Sequence, residues 1–284
     1  IHLLGPCHAF GRFQDRKEAK RVTRAEKMDT SPYRPMADSR WGDIADVLTD
    51  EASLEVLIQY KVLILGGPVK LMGTLQSKLE RFVRQGGTLV WGAGMAHPEH
   101  SVLTGLSMQP EFRVGRAWTG PDGDSKHEPY LYFPAELNSQ AQAKLLISTH
   151  NKDPLIVRNR LGRGEVYTCL SPWYASERAP LGDFALAMLD TVMAAVQPIT
   201  IEGIPVQWCS TRSDNARTIA VANHSGETWQ GTVCIQDLSP GLRLCRAMRR
   251  QQTLEYQAHG RLPRLHLPKP AYALPALRCY RGTT

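Results

Sequence analysis

The segment Tyr60–Trp91, YKVLILGGPVKLMGTLQSKLERFVRQGGTLVW, constrains the fold of this chain more than any other stretch. Tyr60–Leu65 is a near-continuous apolar run ended by Gly66-Gly67-Pro68, as expected of a strand covered on both faces. Leu75, Leu79, Phe82 and Val83 then recur at the helical period, and Gly86-Gly87 closes that helix. Thr88–Trp91 supplies the next buried strand. Strand, helix and strand with short joints make a βαβ unit, whose strands are parallel and whose crossover is right-handed.

The glycine-rich turn that follows, Gly92-Ala93-Gly94-Met95, has the shape of a nucleophile elbow. Such an elbow needs Ser or Cys at its tip, a His within reach and a third group to orient it. No residue from Trp91 to Met95 can attack a carbonyl, so His97 and His100 have nothing to activate. GGPVKLMG matches neither phosphate-binding glycine spacing, and GRG at 162–164 is too short to specify a site. His97-x-x-His100 with Glu99 between is a weak metal pattern in an unhelical context, and no metal or cofactor is expected. Asp122, Asp124 and Glu128 share one polar loop, as any solvated turn does, and do not make a glycosidase acid pair. That leaves no catalytic residue. Trp91, His97, Trp118, Trp173 and Tyr174 near strand ends are candidates for sugar contact, because sugars stack their C–H faces on such rings. Core or interface packing is the competing reading for each tryptophan.

At 284 residues the chain is long enough for two domains. Ile1–Gly5 reads as a strand, which suggests a processed piece or an excerpt of a longer polypeptide, and Phe10–Asp38 as a long polar excursion. Trp41, Ile44, Ala45, Val47 and Leu48 fall at helical spacing, with Asp38 or Ser39 as N-cap. Strands are expected at Leu131–Phe133, Lys144–Ser148, Leu155–Arg158 and Glu165–Leu170, the last two flanking the turn signal NRLGRG. Leu181–Val196 reads as a helix that Pro198 stops. From Val206 the period is two, through Thr218–Ala222, Thr232–Ile235, Leu242–Met248, Leu262–Leu267 and Ala273–Tyr280, which describes a small β-sandwich.

A net charge of +7 and a pI near 9.2 raise the question of nucleic acid. The densest basic run, Arg16–Lys27, is interrupted by Glu18 and Glu26 and carries no aromatic residue, so it reads as a solvated segment. No apolar run approaches the ~18 residues of a membrane span, and no signal-peptide pattern is present, which together suit a soluble protein. The six cysteines, Cys7, Cys169, Cys209, Cys234, Cys245 and Cys279, include no CxxC pair. A two-residue hairpin within QDLSPG would set Cys234 opposite Cys245, but Pro240 disfavours that turn, so free thiols are expected.

The order of elements in YKVLILGGPVKLMGTLQSKLERFVRQGGTLVWGAG resembles the glutamine-amidotransferase-like domain that follows the catalytic barrel in bacterial β-galactosidases and related glycoside hydrolases. DPLIVRNRLGRGEVYTCLSPWY resembles that domain's late hairpin, and TIAVANHSGETWQGTV with LPKPAYALPALRCY resembles the closing β-sandwich of those enzymes. The resemblance implies a flavodoxin-like α/β domain at residues 1–198 followed by an all-β sandwich at 199–284. It implies no catalytic residue, because in those hydrolases both carboxylates lie in the barrel. The domain there serves assembly and the wall of the active site, so the implied partners are an upstream catalytic barrel, further copies of the chain and carbohydrate, not nucleic acid or membrane. The basic insert Arg12–Pro35 departs from the pattern. A carbohydrate-binding or assembly module without an attached enzyme is the rival reading. An active amidotransferase-like hydrolase would have to recruit Cys7 or Cys169 as its nucleophile.

Overall fold

The computed structural model describes residues 2–4, 46–65, 71, 73–93, 100–171, 182–203, 206–212, 216–222, 229–235, 242–248, 265–267 and 276–281. The chain divides into two compact units, one built mainly from residues 45–192 and the other mainly from 193–284.

In chain order the first unit contains β1 (His2–Leu4), β2 (Asp46–Leu48), α1 (Leu54–Leu57), β3 (Val62–Leu65), α2 (Thr74–Arg84) and β4 (Thr88–Gly92). Then come α3 (Ser101–Thr104), β5 (Leu106–Met108), β6 (Arg113–Thr119), β7 (Ser125–Tyr132) and β8 (Ala135–Leu137). It continues with β9 (Gln142–Thr149), β10 (Pro154–Leu161), β11 (Gly164–Cys169) and most of α4 (Asp183–Ala194). Nine of the strands form one mixed sheet in the order β2-β1-β3-β4-β11-β10-β9-β6-β7, while β5 and β8 pair separately. From β2 to β11 the neighbours are parallel. From β11 to β7 they are antiparallel.

The parallel half follows from sequence. All four residues of β3 are buried, as are Leu89, Val90 and Trp91 of β4. Between them α2 buries Leu75, Leu79, Phe82 and Val83, the stripe its period dictates. The β10–β11 hairpin closes through Gly162-Arg163, with Leu161 opposite Gly164. Gly162 takes φ 63°, and a glycine at the first central position suits a two-residue turn. From the interior strand β10, Asn159 donates from Nδ2 to the carbonyls of Val102 (3.1 Å) and Leu103 (3.0 Å) in α3.

The expected flavodoxin-like (class I glutamine-amidotransferase-like) domain followed by a small all-β sandwich is not what this chain builds. Among the described residues there are eighteen strands and four helices, and α1 and α3 are single turns. A flavodoxin-like layout alternates strand and helix so that helices cover a parallel sheet on both faces. Here the described residues between β4 and β11 supply mainly strands, with α3 as their one single-turn helix, and β6–β7, β9–β10 and β10–β11 are antiparallel neighbours. The local βαβ signal of β3, α2 and β4 therefore does not extend to the whole domain. The helix expected around Trp41–Leu48 is also corrected: Asp46–Leu48 is strand β2, parallel to β1, with His2 opposite Asp46. Val47 satisfies a short strand as readily as a helix, and three residues cannot separate the two periods.

The second unit contains β12 (Ile199–Gly203), β13 (Gln207–Arg212), β14 (Ala216–Ala222), β15 (Trp229–Ile235), β16 (Leu242–Met248), β17 (Leu265–Leu267) and β18 (Ala276–Arg281). They form a three-stranded sheet, β12-β15-β17, and a four-stranded sheet, β13-β14-β18-β16. All described pairings in both are antiparallel. Because β15 and β16 belong to different sheets, the hairpin that could have set Cys234 opposite Cys245 does not exist, and Cys234 faces Thr200 of β12. Cys169, Cys209 and Cys234 form no disulfide. Among the described residues no helix is long and apolar enough to cross a membrane. Cys7, the insert 12–35 and the caps Asp38 and Ser39 lie outside the described residues.

Candidate functional site at the strand ends

In sheets with parallel strands, ligands bind beyond the carboxyl ends of those strands. Here β4 ends at Gly92 and β11 at Cys169, directly opposite each other. One residue earlier Trp91 faces Thr168, and the indole Nε1 donates to the Thr168 hydroxyl at 2.7 Å. Both side chains are fully buried, and the ring of His100 lies 5.7 Å from that of Trp91. Ala93 and Leu170 continue the seal, packed with Leu106, Ala135 and Val157. Trp91 thus presents no ring face to a sugar. The turn residues 94–99, including His97, and residues 172–181, including Trp173 and Tyr174, lie outside the described residues.

Cys169 sits at this strand end without reactivity. Its thiol is buried, and that burial pushes its pKa up to about 12, against a partial lowering by the backbone N–H of Ser171. The thiolate is the nucleophile, so a thiol held protonated at neutral pH cannot serve as one. A thiol reagent added to the folded protein is expected to label exposed Cys209 and to leave Cys169 unmodified until denaturant is added. Peptide mapping by mass spectrometry checks this, and native-state labelling of Cys169 would contradict it.

The acid loop separates into two kinds of carboxylate. Asp122 and Asp124 lie exposed at the tip of the β6–β7 hairpin, where Gly120 N–H donates to the Asp124 carbonyl at 2.9 Å. Glu128 points instead to the first turn of α4. One of its oxygens accepts from the Trp118 indole at 2.8 Å, and both accept from the backbone N–H of Asp183, at 3.0 and 3.1 Å. Burial raises the Glu128 carboxyl above its usual range, and the bonds from Trp118 and from the amides of Asp183 and Phe184 oppose that rise. Trp118 is 3% exposed, with the Lys126 ammonium 5.3 Å from its ring centre. Its faces too are spent inside the protein. Among the described residues no cluster of three His, Cys, Asp or Glu side chains could hold a metal.

No protein-family model and no curated protein matches this sequence. Solved structures do. The GH42 β-galactosidase Gan42B from G. stearothermophilus is similar with a TM-score of 0.62 at 14% identity, over 99% of this chain and 40% of that one. In fold, the chain is β-galactosidase-like. The β-galactosidase from Bacillus circulans sp. alkalophilus matches with a TM-score of 0.56 at 16% identity, over 85% of this chain and 36% of that one. The α-L-fucosidase isoenzyme 2 from Paenibacillus thiaminolyticus gives 0.59 at 13% identity, over 86% and 44%. The chain therefore spans well under half the length of the glycoside hydrolases it resembles.

Within this β-galactosidase-like fold, sequence reasoning missed the role of Glu128. Its signal was available in part: Gly182-Asp183 opens a helix that has no Ser or Thr at its N-cap, so an acceptor had to come from elsewhere. A Cβ on Gly182 would stand 2.4 Å from the Glu128 Oε1 atom, so a side chain there would displace the capping carboxylate.

Proposed function

We propose that this chain is a non-catalytic region of a β-galactosidase-type glycoside hydrolase, serving assembly and the wall of an active site whose two carboxylates a catalytic barrel provides. The commitment of Glu128, a half-buried carboxylate, to capping α4 carries this reading. Glycosidic cleavage needs a proton donor at the leaving oxygen and a second carboxylate as nucleophile or base. Glu165 is shared between Arg158 and Arg160, and Asp153 accepts from the Tyr132 hydroxyl at 2.6 Å, so these acids too are engaged in structure. The likeness in fold to glycoside hydrolases supports the class, and partner barrel and self-assembly belong to the proposal. The interior positions of Trp91 and Trp118 turn the reading away from a sugar-binding cleft at those two rings.

The test follows nitrophenol release from a panel of aryl glycosides by the 284-residue chain alone. The expected result is release no faster than in buffer for any sugar. Turnover that disappears in Glu128→Gln, Asp122→Asn or Asp124→Asn would show that the chain is itself an enzyme.

A further inference from the structure

A cavity of about 330 Å3 opens where β4 and β11 begin, at the end of the sheet opposite the sealed turn. Its floor is bare backbone. Gly86 has nothing within 3.9 Å of where a Cβ would stand, and the neighbour at that distance is Arg163. Gly162 and Gly164 bring the hairpin down onto the end of α2, where Arg163 N–H donates to the Arg84 carbonyl at 3.1 Å. Thr88 adds a hydroxyl, and Arg160 and Arg163 supply guanidinium groups.

The local charge does not balance. Glu165 lies opposite Arg160 across the hairpin, 3.3 Å from its Nε, and 3.6 Å from Arg158. Its other oxygen accepts from the Tyr167 hydroxyl at 3.1 Å. That single carboxylate therefore serves two arginines, and Arg163 pairs with no carboxylate among the described residues. Of the residues that line the cavity, two guanidiniums, Arg160 and Arg163, stand against the one carboxylate of Glu165, an excess of one positive charge. The end of α2 contributes about half a negative charge, too little to cancel it. Guanidinium groups hold oxyanions in planar, paired hydrogen bonds, which an open glycine floor allows a small group to reach.

We propose that this cavity binds an oxyanion group, a carboxylate, sulfate or phosphate, between Arg160 and Arg163. The chemistry is shared by a free inorganic anion and by the carboxylate of an acidic sugar, and it is independent of whether the chain belongs to a hydrolase. The test is a backbone and arginine side-chain NMR titration of the full chain with inorganic phosphate and, separately, with glucuronate, chloride holding the ionic strength constant. Saturable shifts centred on Thr88 and residues 162–165 are expected with at least one of the two. Saturation by glucuronate alone identifies the acidic sugar as the source, saturation by phosphate alone a free oxyanion, and saturation by both the shared group. Arg163→Gln, on an exposed turn, is expected to weaken binding about tenfold, the scale of one charge-assisted hydrogen bond. Should that variant fail to fold, Arg160→Gln carries the same expectation. Shifts that rise linearly with both ligands, or saturation unchanged in the folded variants, would overturn the proposal.

Discussion

Replacing Gly164 by alanine is expected to destabilise the first unit by about 3 kcal/mol or more, at the upper end of what an added methylene costs in a packed core. A Cβ on Gly164 would stand 2.1 Å from the Val83 carbonyl oxygen and 2.3 Å from that of Gly87. Both obstacles are backbone, so no side chain can swing away to make room. The neighbouring carbonyls cannot retreat cheaply either. The Gly87 carbonyl accepts from Glu165 N–H at 3.2 Å, and Val83 is the last buried residue of α2. Relief would require lifting the β10–β11 hairpin off the helix end and loosening the parallel register of Val166 with Leu89. For a unit of this size the loss corresponds to a fall in Tm of roughly 6–12 °C. Gly86→Ala separates this collision from a general intolerance of side chains in the loop. Gly86 has open space above it but φ 114°, so its replacement costs only the backbone strain of a non-glycine residue, on the order of 1 kcal/mol. Thermal unfolding followed by circular dichroism compares the two. Equal losses in both variants would show that the carbonyl collision is not what fixes Gly164.

The same pair of glycine turns shows which parts of this fold could be read from sequence. The helix α2 and its flanking strands were legible because a 3.6-residue stripe and two fully apolar runs leave no competing period. The hairpin at Gly162-Arg163 was legible because a tight turn needs its glycine. Strand β6 was not. Its burial alternates irregularly across Arg113–Thr119, and Gly115 reads as a loop residue although its missing side chain makes room for the Tyr130 ring, 2.2 Å from where a Cβ would be. The fold class failed for a related reason. One βαβ unit does not define a whole domain, and the sheet order that sets β11 beside β4 and β6 beside β9 depends on pairings that no local pattern encodes. At the site, the sequence shows Gly92-Ala93 after β4, but not which way the tryptophans turn. Indole is amphipathic, and only the distant Thr168 and Glu128 acceptors decide that Trp91 and Trp118 face inward.

Glu128 offers the second large effect, and one that distinguishes a capping carboxylate from a spectator. Glu128→Ala is expected to cost about 2 kcal/mol, because it leaves the buried Trp118 indole without its acceptor and uncaps α4. Glu128→Gln keeps one acceptor oxygen, which in the place of Oε2 still serves both Trp118 and Asp183, but its amide NH2 then faces the Asp183 N–H from which the other oxygen had accepted. Roughly 1 kcal/mol is the expected loss for that single bond. In a Trp118→Phe background the amide has only Asp183 to serve and can turn its oxygen toward that N–H, so the cost of Glu128→Gln should be smaller. That difference is the coupling a double-mutant cycle measures. The pH dependence adds a second readout. Burial raises the folded-state carboxyl above its usual value of 4.5, so between that value and the raised one the folded chain binds more protons than the unfolded chain. This group's contribution to stability therefore declines as pH rises through that window and is level on either side. Glu128→Gln removes the ionisable group and should flatten that part of the profile, measured as urea midpoints across the acid range. A cycle with no coupling, together with an unchanged slope in Glu128→Gln, would mean that neither Trp118 nor α4 depends on this carboxylate.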